Sequence, residues 1–385
     1  MSSLLLRGGT VINSDYARKA DVLIERGRIK SVGLNVDAHA DAVLDVSGKL
    51  VMPGGIDSHT HLQLPFMHTR CADDYASGTR AALTGGTTTV YAAMRHCAQL
   101  GARARVHAEN GTVIGQRERE LKAEGHTAPS GHLLSRDEEL SAQSARTACI
   151  IAAHTNCTIC ITHVHSDSLG CVVADAKRKG LHVWGEPTIC ALVKSGNVYL
   201  DADWHWAAAH ILTPPLSDRA DNEAKLIQRL ASGELDFVGS DHASFMKKDR
   251  LIGKDDFTKI PHGVNGIEER LMLLWSRGVR TSLMSPERFV AVTSANAAKF
   301  FNMFPKKGHI DVGSDADIVI WDSDAEHKIS QTTQHHKADI NIYEGIECKG
   351  LPIVTILSGK IVWQNGQLTV DGDEGRLIKL SRFDL

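Results

Sequence analysis

The sequence predicts an α/β protein: a (β/α) barrel of the TIM type, apparently lacking two of its eight strands, joined to a small β-sandwich formed by both termini. Three observations lead there. Short β-like runs broken by turns fill the first 50 residues and return after about residue 308; the middle alternates apolar runs with helical stretches; and four of six such runs finish in His or Asp. Parallel strands need long crossovers, usually helical, so strand–helix alternation marks a parallel sheet, whereas closely spaced strands mark an antiparallel layer.

In the amino-terminal part, Leu4-Leu5-Leu6-Arg7, Thr10-Val11-Ile12, Ala20 to Ile24 and Arg28 to Val32 read as strands, with tight turns at Gly8-Gly9 and Arg26-Gly27. Gly313 to Trp321 and Ile353 to Val362 repeat that texture near the carboxyl end. Residues 1–50 and 309–385 are therefore expected to form the sandwich, and residues 51–308 the barrel. The candidate barrel strands are Val51 to His61, Thr87 to Tyr91, Ala104 to His107, Thr158 to His163, His182 to Gly185 and Asp236 to Asp241. A closed barrel of this type needs eight, and its chemistry sits on their carboxyl ends.

Composition narrows the partners. With 385 residues, 42% hydrophobic content and a formal charge of −3, the chain can bury a large core and offers no basic excess for nucleic acid or an anionic membrane. No segment approaches the ~20 apolar residues of a membrane span, and Met1 to Gly8 holds too short an apolar run for a signal segment, so a cytoplasmic location is expected. Cys157-x-x-Cys160 lies inside an apolar run, where buried free thiols are the expected reading. His335 and His336 are expected to be solvated surface residues.

The chemistry gathers at the strand ends. Residues two apart on a strand face the same side, so His59 and His61, following the apolar run Leu50 to Gly54, make half a metal site. His107, His163 and Asp241 end other runs and supply partners. Imidazoles with a carboxylate suit zinc or a similar borderline metal, and Asp241 is also a candidate to carry a proton to a leaving nitrogen. His165 and His242 read as supporting residues beside stronger ligands.

The string His59-Thr60-His61-Leu62-Gln63-Leu64-Pro65-Phe66-Met67 recurs in a known family, as do Ala72-Asp73-Asp74, Gly85-Gly86-Thr87-Thr88, Val106-His107-Ala108-Glu109-Asn110-Gly111 and Gly185-Glu186-Pro187. Gly253 to Thr258, Gly263-Val264-Asn265-Gly266 and Ala291-Val292-Thr293-Ser294 extend the match. On these motifs the chain closely resembles the dihydropyrimidinases, cyclic amidohydrolases of the hydantoinase group. The resemblance implies hydrolytic ring opening of 5,6-dihydrouracil and dihydrothymine to N-carbamoyl β-amino acids, in pyrimidine catabolism, by a homotetramer with two zinc ions per subunit. It places His59, His61, His107, His163 and Asp241 on metal-ligand positions, and Asn265 and Thr213 on substrate-binding positions.

One departure from the family is large. In the family a carboxylated lysine bridges the metals and a tyrosine donates to the developing oxyanion, both between the second strand and the Val-His-Ala-Glu-Asn strand. This chain has no lysine between Lys49 and Lys122 and passes directly from Thr89-Val90-Tyr91 through Ala92 to His107. Two βα units of ~30 residues each would be missing, in accord with six strands instead of eight. Without the anionic bridge, one metal would keep His59, His61 and Asp241, and the other only His107 and His163. At most one tightly bound zinc per chain is therefore expected, with weakened turnover. A shortened form of an active parent, as alternative splicing would produce, explains a contiguous loss with five intact ligands. The alternatives are a non-catalytic scaffold resembling the collapsin response mediator proteins and a one-metal enzyme resembling cytosine deaminase.

Overall fold

Both ends of the chain contribute to one pair of packed sheets. In a computed structural model, which describes residues 3–36, 39–61, 65–66, 69–73, 87–90, 103–154, 157–364, 366–369 and 378, the apolar strand Ser3–Arg7 lies between Asp21–Glu25 and Ala42–Asp45. Arg28–Gly33 completes that four-stranded sheet. A seven-stranded sheet faces it, with Ile318–Lys328 held between Leu50–Pro53 and Glu347–Leu357. Alternation along each strand sends Leu4, Leu6, Val22 and Ile24 inward against Val51, Ile318, Ile320 and Ile356, which closes a dry core. At Gly27 the turn needs φ +79°, and an added Cβ would meet the Ser358 carbonyl oxygen at 2.8 Å, so glycine alone fits there.

The first correction concerns Leu50–Pro53. Expected to open the first barrel strand, it pairs in the sandwich with Ile318–Lys328 and Thr10–Ile12. The chain crosses at Gly54, whose N–H donates to the Asp317 carbonyl at 2.8 Å, and only Gly55–Asp57 enters the barrel. An apolar run buried on both faces carries no mark of which sheet it joins.

In the barrel, Gly55–Asp57 pairs in parallel with Thr87–Val90, while Ala104–Val106, Ile159–Thr162 and Val183–Glu186 form a parallel three-stranded sheet. Helices Gly111–Ala123 and Glu138–His154 span the first crossover of that sheet, and Asp167–Arg178 spans the second. The last is capped by Ser166 and buries Leu169, Val172, Val173 and Ala176 at helical spacing.

Asp236 to Asp241 is the second correction, because it forms no regular strand. It runs extended across the gap between the two sheets: Asp236 N–H donates to Gly185 O at 3.0 Å, Asp241 N–H to His59 O at 2.8 Å, and single bridges join Gly239 to Thr188 and His242 to Thr60. Asp241 adopts φ +51°, a left-handed conformation that interrupts the extended backbone. The six expected runs thus appear as five strands and one bridging segment. Thr87–Val90 and Ala104–Val106 fall in separate sheets. The junction where two further βα units would belong, residues 91–102, lies outside the described residues. Among the described residues, no helix is long and apolar enough to cross a membrane. Cys157 is half-buried and Cys160 buried, both as free thiols.

Candidate metal centre

Three imidazoles converge on the carboxylate of Asp241. His59 Nε2 lies 3.2 Å and His61 Nε2 3.3 Å from Oδ1, and His163 Nε2 lies 3.3 Å from Oδ2. The backbone makes this possible. His59 and His61 follow Gly55–Asp57 on a stretch held by His61 N–H to His242 O (2.7 Å), and Ser240 Oγ donates to His59 O at 3.0 Å. His163 follows Ile159–Thr162 and, like Asp241, turns into a positive φ, here 54°. Both residues thus occupy a sparsely populated backbone region at one site.

Charge is concentrated and shielded here. Burial alone would push the Asp241 carboxyl up, but His59 and His163, with hydrogen bonds from His163 and His61, hold it well below the usual carboxylate range. Burial drives His59 well below its ordinary value, aided by His163 and Arg105 against the pull of Asp241. His61, less buried, is raised: the Asp241 hydrogen bond and charge outweigh burial.

Behind His59 stands a network that sequence reasoning missed. Arg105 donates from Nη1 to Ser58 O (2.7 Å) and from Nη2 to His59 Nδ1 (3.1 Å), and pairs with Glu186, which also accepts from Ser58 Oγ at 2.6 Å. Its one sequence signal is an Arg two residues before His107, and so on the same strand face, in an otherwise apolar run. A second buried group is Asp73, which accepts from His242 Nε2 (3.0 Å), Ser244 Oγ (2.5 Å) and Lys337 N–H (3.0 Å). His242 Nδ1 in turn accepts from Gly266 N–H at 3.3 Å. His242 is thus a supporting residue, as is His165, which donates from Nδ1 to Pro214 O (2.7 Å) and contacts Thr188 Oγ1 (2.9 Å).

The remaining predicted residues sit around this centre. His107 reaches it only through His163, Nδ1 to Nδ1 at 3.1 Å, while its Nε2 turns to Glu109 at 2.7 Å. Asn265 is buried and its side chain is committed: Nδ2 donates to Glu269 Oε1 and Asn341 Oδ1, and Oδ1 accepts from Ile342 N–H. Thr213 Oγ1 contacts His262 Nδ1 at 2.5 Å, on the loop whose next residue holds His165. A cavity of about 260 Å³ opens beside His163 and His165, walled in part by Leu133, Arg136, Pro214 and Pro215. His336 departs from expectation. It is buried, with Nε2 3.3 Å from Glu269 Oε1, because its loop folds over the helix that begins beside Asn265, a contact across more than 60 residues that local polarity does not reveal. His335 is exposed, as expected, and pairs with Glu268.

His59, His61 and Asp241 each offer a ligand atom, all within 4.8 Å of one another, and theirs is the one such group among the described residues. Two imidazoles and a carboxylate with an open fourth position fit one borderline divalent metal.

Comparison with known proteins identifies the family. Residues 91–362 match the amidohydrolase family. Dihydropyrimidinase of Rattus norvegicus is 39% identical over 462 aligned positions, covering 99% of this chain and 89% of that protein, so the relative carries residues with no counterpart here. Dihydropyrimidinase-related protein 5 of Homo sapiens is 36% identical, covering 99% of this chain and 81% of that protein. Among solved structures, dihydropyrimidinase from Brevibacillus agri matches with a TM-score of 0.95 at 31% identity over 100% of each chain. D-hydantoinase from a Bacillus species matches at 0.94 and 32%, over 99% of this chain and 100% of that one. A shared fold at this identity, over the whole chain, means common descent and not convergence on a barrel, and it places the chain in the dihydropyrimidinase and hydantoinase group of the metal-dependent amidohydrolase family.

Proposed function

We propose that this chain is a dihydropyrimidinase-like cyclic amidohydrolase that opens 5,6-dihydropyrimidine rings to N-carbamoyl β-amino acids, weakly, with one tightly bound zinc per chain. The observation that carries the reading is the meeting of His59, His61 and Asp241 around one point. In this reading residues 51–308, apart from the sandwich residues Val51 to Pro53, form the hydrolase unit, and the two termini its sandwich. A bound zinc would lower the pKa of water toward neutrality and polarise the ring carbonyl. The protein side supplies the rest. His59 and His61 would hold the metal through Nε2 and Asp241 through Oδ1, and the Asp241 oxygen facing His163 would carry a proton from the attacking water to the leaving nitrogen. The substrate ring would lie in the cavity beside His163, whose wall includes Pro214, the residue after Thr213. Because the Asn265 side chain is already engaged, its substrate contact would come from the main chain.

His107 and His163 are proposed as the remnant of a second site, which two imidazoles alone hold poorly. A homo-oligomer, tetrameric as the resemblance implies, and a cytoplasmic location complete the reading. Its test combines elemental analysis with ring opening of dihydrouracil followed by loss of ultraviolet absorbance. One zinc per chain with slow turnover is expected. A stable fold without zinc and without turnover would favour a scaffold role instead, and light scattering reads the assembly.

A further inference from the structure

Arg105 occupies an unusual place for a cation, inside the barrel and against a residue that should bind metal. Its side chain is largely buried and touches three groups: the Ser58 carbonyl, Glu186 and His59 Nδ1. A guanidinium has donors only, so His59 Nδ1 is the acceptor in that 3.1 Å contact. A neutral imidazole that accepts at Nδ1 carries its proton on Nε2, the atom that faces Asp241 Oδ1 at 3.2 Å. That is the nitrogen a metal shared with His61 and Asp241 would need as a lone pair.

Metal-binding histidines normally donate their other N–H to a carboxylate or carbonyl, which fixes the productive tautomer. The carboxylate in position to serve, Glu186, has Oε1 3.8 Å from His59 Nδ1, beyond hydrogen-bond range. Both its oxygens are already engaged, Oε1 by Ser58 Oγ and Oε2 by Arg105.

We propose that Arg105 is a positioning residue that holds His59 in the tautomer opposed to metal binding, so that loading requires the Nδ1 contact to pass from Arg105 to Glu186. This rests on the metal centre proposed above. On loading, the Nε2 proton passes to water and water supplies one at Nδ1, with no net change in the ring, and the guanidinium keeps its contacts with Glu186 Oε2 and the Ser58 carbonyl. The fixed positive charge so close to His59 also disfavours a dication nearby.

Two measurements decide it. In the metal-free full chain, long-range 15N–1H correlation spectra, with His59 assigned by difference against His59→Gln, should show the proton on Nε2; any form with a proton on Nδ1 overturns the proposal. Zinc affinity is then measured by competition with a chromophoric chelator for the natural chain, Arg105→Met and the charge-balanced pair Arg105→Met with Glu186→Gln. The variants should bind ~10- to 100-fold more tightly, the span typical of partners of ligating histidines. Equal or weaker binding in both overturns the role of Arg105. Absence of zinc from all three chains overturns the metal centre itself, and the tautomer spectrum, which needs neither metal nor a stable Arg105 variant, still decides the role of Arg105.

Discussion

Asp241 engages His59 and His61 through one oxygen and His163 through the other, at 3.2 to 3.3 Å, so a change there would remove the proposed ligand and the proposed proton carrier together. Asp241→Asn keeps the shape and loses the charge. Its zinc affinity should fall by more than the ~10- to 100-fold seen for supporting residues, read by chelator competition. Asp73 acts at a greater remove. Wholly buried, it accepts three hydrogen bonds, from His242, Ser244 and Lys337, and so ties the 71–73 segment to the Asp241 loop and to the 335–339 segment. Asp73→Ala should cost roughly 3 kcal/mol, the scale of breaking a buried charged contact by removing one partner, measured as a lowered urea midpoint. The residues that converge at the proposed centre are legible at this scale, since His and Asp at the ends of apolar runs are chemically conspicuous. Arg105 and Asp73 were not assigned roles, because their importance comes from what lies across the barrel and not from their own neighbours in the chain.

At the scale of elements, a pH dependence follows from the loop that folds over the helix beginning at Arg270. His336 is raised above 6.5: burial works against it, and the hydrogen bond and charge of Glu269 prevail. Glu269 is lowered below 4.5, burial being outweighed by His336 and by Asn341. A raised histidine contributes stability that is complete below 6.5 and lost as pH rises through its folded value. A lowered carboxylate contributes stability that is complete above 4.5 and lost as pH falls through its folded value. This contact therefore works best between those limits. Urea midpoints against pH should fall on the alkaline side, and His336→Gln should flatten that limb. A flat natural profile above pH 6.5 would show the contact to be energetically silent. Elements were partly legible: period and turn residues located the strands, while Leu50–Pro53 and Asp236 to Asp241 were misjudged because pairing partners, not propensity, decided them.

For the whole molecule, Thr87–Val90 and Ala104–Val106 end separate sheets among the described residues, and no described strand pairs with their outer edges, where a closed barrel would have pairing. Unpaired edges template aggregation. Inserting the corresponding block of the rat relative between Tyr91 and Ala104 should raise the thermal midpoint and suppress aggregation seen by light scattering. It should also bring a second zinc, and the returned oxyanion donor alone should raise turnover on the order of 100 to 1000-fold. A chimera with one zinc and unchanged turnover would refute the view that the absent block limits the natural chain. The sequence by itself determined the division into strand-rich ends and an α/β middle, the ligand types and the missing bridge, because these are written in local period, residue chemistry and the lack of any lysine from residue 50 to 121. It took the tertiary structure to decide where the first barrel strand begins, that Asp241 joins two sheets, and that a buried guanidinium faces the His59 imidazole. Each of these depends on groups far apart in the chain being brought within hydrogen-bond range, where burial strengthens their electrostatics, and no local pattern encodes that approach.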